Sequence, residues 1–167
     1  MNINNLFWDY DGNGNPIYYY DKNCTLLFNG HIEEYDKGWI DMEADVVNGF
    51  VTGICKEYFF QSNQLEQISY QEKNLHHGLV IEFFENGQVR FVTLEIANAP
   101  FDLYEFDENS KLKMKKLYPD SIIRILKQLG NEEEIIKQLR EKFNLEKICE
   151  EIQRDGKNFD YGKYFKS

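Results

Sequence analysis

Through about residue 117, short runs rich in aromatic and β-branched residues alternate with polar turns. Four stretches share one layout: an aromatic, a polar turn, then an aliphatic residue. Tyr35 leads through Asp36-Lys37-Gly38 to Ile40, and Tyr58 through Gln61-Ser62-Asn63 to Leu65. Phe83 leads through Glu85-Asn86-Gly87 to Val89, and Phe106 through Glu108-Asn109-Ser110 to Leu112. The steps between the leading aromatics are 23, 25 and 23 residues, a period that predicts an array of one supersecondary unit. Gly30, Gly53 and Gly78 each stand five residues before the aromatic. That constant offset gives the glycine a backbone role, a bend or a close approach between hairpins. In the fourth unit the position is Phe101. Asn-Gly pairs at 13–14, 29–30, 48–49 and 86–87 predict tight hairpin turns, because both residues tolerate positive φ. Trp8 to Gly14, with Ile17 to Tyr20 as return strand, predicts an earlier hairpin of the same array; Tyr10 precedes Tyr35 by 25 residues.

After Leu117 the spacing becomes helical. Pro119-Asp120-Ser121 starts a stripe of Ile122, Ile123, Ile125, Leu126 and Leu129, and Gly130 stops it. Asn131 then caps a helix lined by Ile135, Ile136, Leu139 and Phe143. Asn144 opens a third, carrying Leu145, Ile148, Cys149 and Ile152. Phe159, Tyr161, Tyr164 and Phe165 make the tail too aromatic for a solvated end, so it is expected to dock. The predicted fold class is α+β: antiparallel β-hairpin repeats forming an elongated twisted sheet, capped by two to three C-terminal helices. Residues 1–117 form the repeat region and 118–167 the helical cap. No Pro/Gly/Ser linker divides them. The helices are expected to cover the apolar flank that a hairpin array leaves exposed.

The units Gly30 to Gly38, Gly53 to Phe59 and Gly78 to Gly87 resemble MORN repeats. In particular they are similar to the bacterial variant in YwqK-type antitoxin components of toxin–antitoxin systems. The resemblance spans roughly residues 8–112 and rests on the Gly-x4-aromatic core. It departs from the eukaryotic MORN pattern through an insertion at Phe60 to Asn63 and the missing fourth glycine. It implies a ladder of hairpins; such repeats occur in scaffolds, lipid-associated proteins and immunity or antitoxin proteins.

Charge sharpens this picture. The net charge is −10, and residues 118–167 hold ten basic and ten acidic residues. The excess therefore lies wholly on 1–117, with nine basic and 19 acidic residues. Such a field repels nucleic acid and anionic membrane and attracts basic partners. Lys111, Lys113, Lys115 and Lys116 form a local basic strip, read as a charged edge strand. No apolar run approaches the roughly 20 residues of a membrane span, and mean hydropathy is −0.61. Cys24, Cys55 and Cys149 are odd in number and far apart; with no secretory signal visible, a cytoplasmic location is expected.

Candidate chemistry is sparse. Asp9 to Gly14 imitates the start of a calcium loop, but Tyr20 stands where the bidentate Glu belongs, so a polar turn is expected. Adjacent His76 and His77 point to opposite faces of a strand, and His31 stands apart. No metal or other cofactor is expected, and neither is a catalytic residue. The repeated aromatics are expected in the core. Off-register aromatics and surrounding carboxylates are the candidate partner-binding residues: Glu33, Asp36, Trp39, Asp41, Glu43, Glu82, Glu85, Asp102, Tyr104, Glu105 and Glu108. Together these features predict a non-enzymatic bacterial immunity or antitoxin protein. It would occlude a basic, nuclease-type toxin by steric and electrostatic complementarity. The alternative is a MORN-type scaffold or membrane-associated interaction module. A third reading is an enzyme with its site at the repeat–helix junction.

Overall fold

A computed structural model of the chain describes residues 1–117 and 132–166. Its strands are β1 (Phe7–Tyr10), β2 (Pro16–Tyr19), β3 (Gly30–Asp36), β4 (Trp39–Val47), β5 (Phe50–Tyr58), β6 (Leu65–Glu72), β7 (Leu75–Phe83), β8 (Val89–Ile96), β9 (Ala99–Phe106) and β10 (Leu112–Leu117). Strands β3 to β10 form one eight-stranded antiparallel meander in sequence order. Two α-helical segments follow, α1 (Glu132–Lys142) and α2 (Leu145–Asp155).

The hairpins repeat one register. Tyr35, Tyr58, Phe83 and Phe106 lie opposite Ile40, Leu65, Val89 and Leu112, and each pair is followed by a one-residue bulge in the return strand. The other ends carry two-residue turns with both central φ angles positive: Asn48-Gly49, Lys73-Asn74 and Ala97-Asn98. This geometry matches strand twist and favours Asn and Gly. Asn74 and Asn98 also knit neighbouring hairpins together. The Asn74 side chain accepts from the Val51 amide at 2.7 Å, and Asn98 from the His76 amide at 2.6 Å. Strands β5, β7 and β9 bulge at Gly53, Gly78 and Phe101, the places that the constant offset singled out.

Residues paired across neighbouring strands share a sheet face, which assigns the two cores to opposite faces. On one face Ile68, Ile81, Val92 and Tyr104 pair in a row. They pack with Phe143, Ile148 and Ile152 of the helical part and with Phe159 and Phe165 of the tail. On the other face Ile32, Ala44 and Cys55 pair in a row and pack under Ile3, Leu6, Tyr18 and Phe28. The cover is thus diagonal. The helices protect one face of the later strands, and the N-terminal segment protects the other face of the earlier ones.

Segment α2 forms where its sequence predicts. The Asn144 side chain accepts from the Lys147 amide at 3.0 Å, an N-cap. Leu145, Ile148, Cys149 and Ile152 are buried along one stripe, and Gly156 ends the helix at positive φ. The tail docks: Phe165 stacks on Tyr70 with centroids 5.0 Å apart, and the Tyr70 hydroxyl donates to the Tyr164 carbonyl at 3.1 Å.

Three expectations are revised. The expected two to three separate helices are instead a single C-terminal helical unit, interrupted at Phe143-Asn144; the stripe at 122–129 and the Asn131 cap lie outside the described residues. The first hairpin is not a sheet member: β1 and β2 form their own two-stranded ribbon. It seats at Gly49, where an added Cβ would lie 2.7 Å from Ile17 and 2.8 Å from Leu27. Asn29-Gly30 is no hairpin turn either, but the entry to β3.

Candidate functional site

The residue before each repeated aromatic is glutamate: Glu34, Glu57, Glu82 and Glu105. The shared register places all four in one cross-strand row, Glu34–Met42–Glu57–Gln67–Glu82–Phe91–Glu105–Met114. Two strand spacings separate successive glutamates, roughly 9–10 Å. The row lies on the face that carries the N-terminal ribbon. Glu34 borders the ribbon residues Trp8 and Tyr10 and Met42 packs against the N-terminal core, while from Glu57 onward neither core described above covers the row.

Beside the row sits His76 of β7. Its Nδ1 is 3.0 Å from Glu95 Oε2, and its Nε2 is 3.3 Å from the Gln67 amide nitrogen. Thr93 donates to the second Glu95 oxygen at 2.9 Å. The hydrogen bond to Glu95 raises the His76 pKa, against burial and with help from Glu95, Glu57 and Glu82 charges. Burial raises the pKa of Glu57, and nearby Glu66 and Asp41 add to it while His76 opposes. Burial likewise raises Glu82, with Arg90 opposing and Glu95 adding. Among the described residues, neither Glu57 nor Glu82 makes a side-chain hydrogen bond or an ion pair within 4.0 Å. Both carboxylates are therefore partly withdrawn from water without a direct cation, and a Lys or Arg side chain arriving from outside would stabilise them. Phe91, between Glu82 and Glu105, already carries the Arg90 guanidinium 5.0 Å from its centroid, so its ring face accepts cations.

The candidate residues divide between several places. Glu82 and Glu105 belong to the row, with Glu105 paired to Lys113 at 2.9 Å. Glu33 and Glu43 pair with each other on the opposite face. Asp36, Trp39, Asp41, Glu85 and Glu108 are exposed at the turns and bulges of one sheet end. Two candidates are unavailable to a partner. Tyr104 is 4% exposed and part of the core under the helices. Asp102 is closed over by Arg140, which donates to both its oxygens at 2.7 and 2.8 Å. Their strand faces the helical layer, and no spacing in β9 distinguishes that face from the open one. The repeated aromatics also part company: Phe83 and Phe106 are core, whereas Tyr35 is 39% exposed. Among the described residues, the helices do not pack on β3 or β4. Glu57, Glu95, Gln67 and His76 are additions to the candidate set. The signal for the row was present as a glutamate preceding every repeated aromatic.

Asp11 is engaged within its own turn. Its Oδ1 accepts from the Asn13 and Asn15 amides at 2.8 and 2.9 Å. Among the described residues, no helix is long and apolar enough to cross a membrane. No protein-family model matches the chain, and no curated protein matches it significantly.

Proposed function

We propose that the chain is a MORN-like hairpin array acting in the cytoplasm as a bacterial immunity or antitoxin protein, which binds a basic, nuclease-type toxin and occludes its phosphate-binding surface. The observation that carries this reading is the glutamate row. One acidic residue recurs at the same register position of four hairpins, on a face that, among the described residues, neither core covers from Glu57 onward, with Glu57 and Glu82 lacking direct cations there. A surface that binds phosphate is rich in Lys and Arg, so the row complements it and speeds encounter. The scaffold or membrane reading draws on the basic strip of β10. Lys113 and Lys115 there are already paired with Glu105 and Glu146, which weakens it.

The test is binding to a toxin encoded beside the gene, with protection of cells as a second readout. Glu57→Gln/Glu82→Gln is expected to weaken binding about 10- to 100-fold and to flatten its salt dependence. Full affinity in the double variant would refute the row as the interface. Absence of any toxin partner, in pull-downs at low salt, would refute the immunity role itself.

A further inference from the structure

On the opposite sheet face, away from the glutamate row, β3 and β4 bring one imidazole and two carboxylates together. One donor atom each from His31, Glu33 and Glu43 lies within 4.8 Å of the other two. His31 and Glu43 are each held by neighbours through one atom, which leaves the second atom without a hydrogen bond. His31 Nδ1 is 2.9 Å from Asp45 Oδ1. A carboxylate there accepts a hydrogen bond from Nδ1–H and leaves the Nε2 lone pair free, the carboxylate–histidine arrangement that orients metal ligands. His31 Nε2 then stands 3.8 Å from Glu43 Oε2, too far for a hydrogen bond. The other Glu43 oxygen accepts from Lys56 Nζ and from the Tyr58 hydroxyl. Glu33 is steadied by the Tyr35 hydroxyl at 3.4 Å.

We propose that His31, Glu33 and Glu43 bind a divalent transition-metal ion, Zn2+ by preference, with Asp45 as the residue that positions His31. Zn–N and Zn–O bonds of about 2.0–2.2 Å place tetrahedral donors roughly 3.4 Å apart. The present triangle closes to that size by side-chain adjustments of about an ångström. Three carboxylates (Glu33, Glu43 and Asp45) outnumber the Lys56 ammonium and the Met1 ammonium, which donates to the His31 carbonyl at 2.7 Å, so the cluster is net negative and favours a cation. One imidazole among carboxylates favours Zn2+ over the harder Mg2+. Three protein donors leave a fourth position open to water or an outside ligand. His31, Glu43 and Asp45 line a pocket shared with Tyr161, Gly162 and Phe165. The sequence hid this set because its donors meet only through the β3–β4 register; no two of them have the helix spacing of familiar zinc motifs.

The test uses full-length, tag-free protein titrated with Zn2+ in a calorimeter and with Co2+ by visible absorption. One ion per chain is expected, with a Co2+ spectrum that His31→Ala abolishes. Glu33→Gln and Asp45→Asn are each expected to lower Zn2+ affinity about 10- to 100-fold. His77→Gln, outside the site, leaves binding unchanged, and millimolar Mg2+ does not displace the metal. Circular dichroism checks the fold of each variant, and exposed Asp45 supplies the substitution that perturbs it least. The proposal is overturned by absent saturable binding, by wild-type affinity in His31→Ala or Asp45→Asn, by loss in His77→Gln, or by displacement with Mg2+.

Discussion

Glu57 and Glu82 set local stability against use. Each is held partly out of water on the open face, and burial raises its pKa. A carboxylate whose folded pKa exceeds the unfolded value makes the native state bind more protons. Its unfavourable contribution is absent below the ordinary carboxylate pKa and develops as pH rises through the folded one. Glu57→Gln/Glu82→Gln is therefore expected to raise the midpoint of urea unfolding at pH 7 and to leave it unchanged near pH 3.5. An equal gain at both pH values would mean that the charges are not its source. Asp102 is the opposite case, a buried carboxylate with its own guanidinium. Arg140→Met leaves it unpaired and is expected to cost about 2–3 kcal/mol in the same assay. At this scale the sequence was half legible. Counting carboxylates located the acidic excess, yet counting alone could not separate Glu82, which faces outward, from Asp102, which faces the helices. That distinction depends on strand parity, which each bulge resets.

At the scale of elements, the turns carry most of the hairpin specification. Ala97 adopts φ +50° and Asn98 φ +63° in the β8–β9 turn. A Cβ in this left-handed region costs about 1–2 kcal/mol, so Ala97→Gly is expected to stabilise by about 0.5–1 kcal/mol. Asn98→Ala loses the bond from the His76 amide and the residue most tolerant of that φ, and is expected to cost about 1–2 kcal/mol. Thermal or chemical unfolding of the two variants reads both, with opposite signs. The Asn48-Gly49 turn was legible because both residues announce positive φ. Lys73-Asn74 and Ala97-Asn98 were not, since Lys and Ala carry no such signal and the register alone forces them. The α2 cap and stripe were legible because a helix states its ends and its buried face within about a dozen residues. The β1–β2 ribbon was legible as a hairpin but not in its placement. Nothing in its turn tells a sheet member from a lid, and the deciding contact is with Gly49, some 30 residues away.

For the whole molecule, the diagonal cover matters most. Among the described residues, neither core spans the full width of its sheet face, and each depends on a different chain region. Ile152, fully buried against the later strands, is expected to cost about 2–5 kcal/mol when changed to Ala. Gly49→Ala works at the other core, where a Cβ would enter the Ile17 and Leu27 side chains at a backbone φ of +83°. The two clusters share no residue; Ile54 and Cys55, neighbours on β5, point one into each. The consequence is a division of the molecule into two cooperative units joined through the central strands. Amide hydrogen exchange should resolve them. Gly49→Ala should hasten exchange in β3 and β4 while β8 and β9 keep their protection, and Ile152→Ala should do the reverse. In such a molecule one face can loosen, to admit a ligand or release one, while the ladder beneath it stays closed.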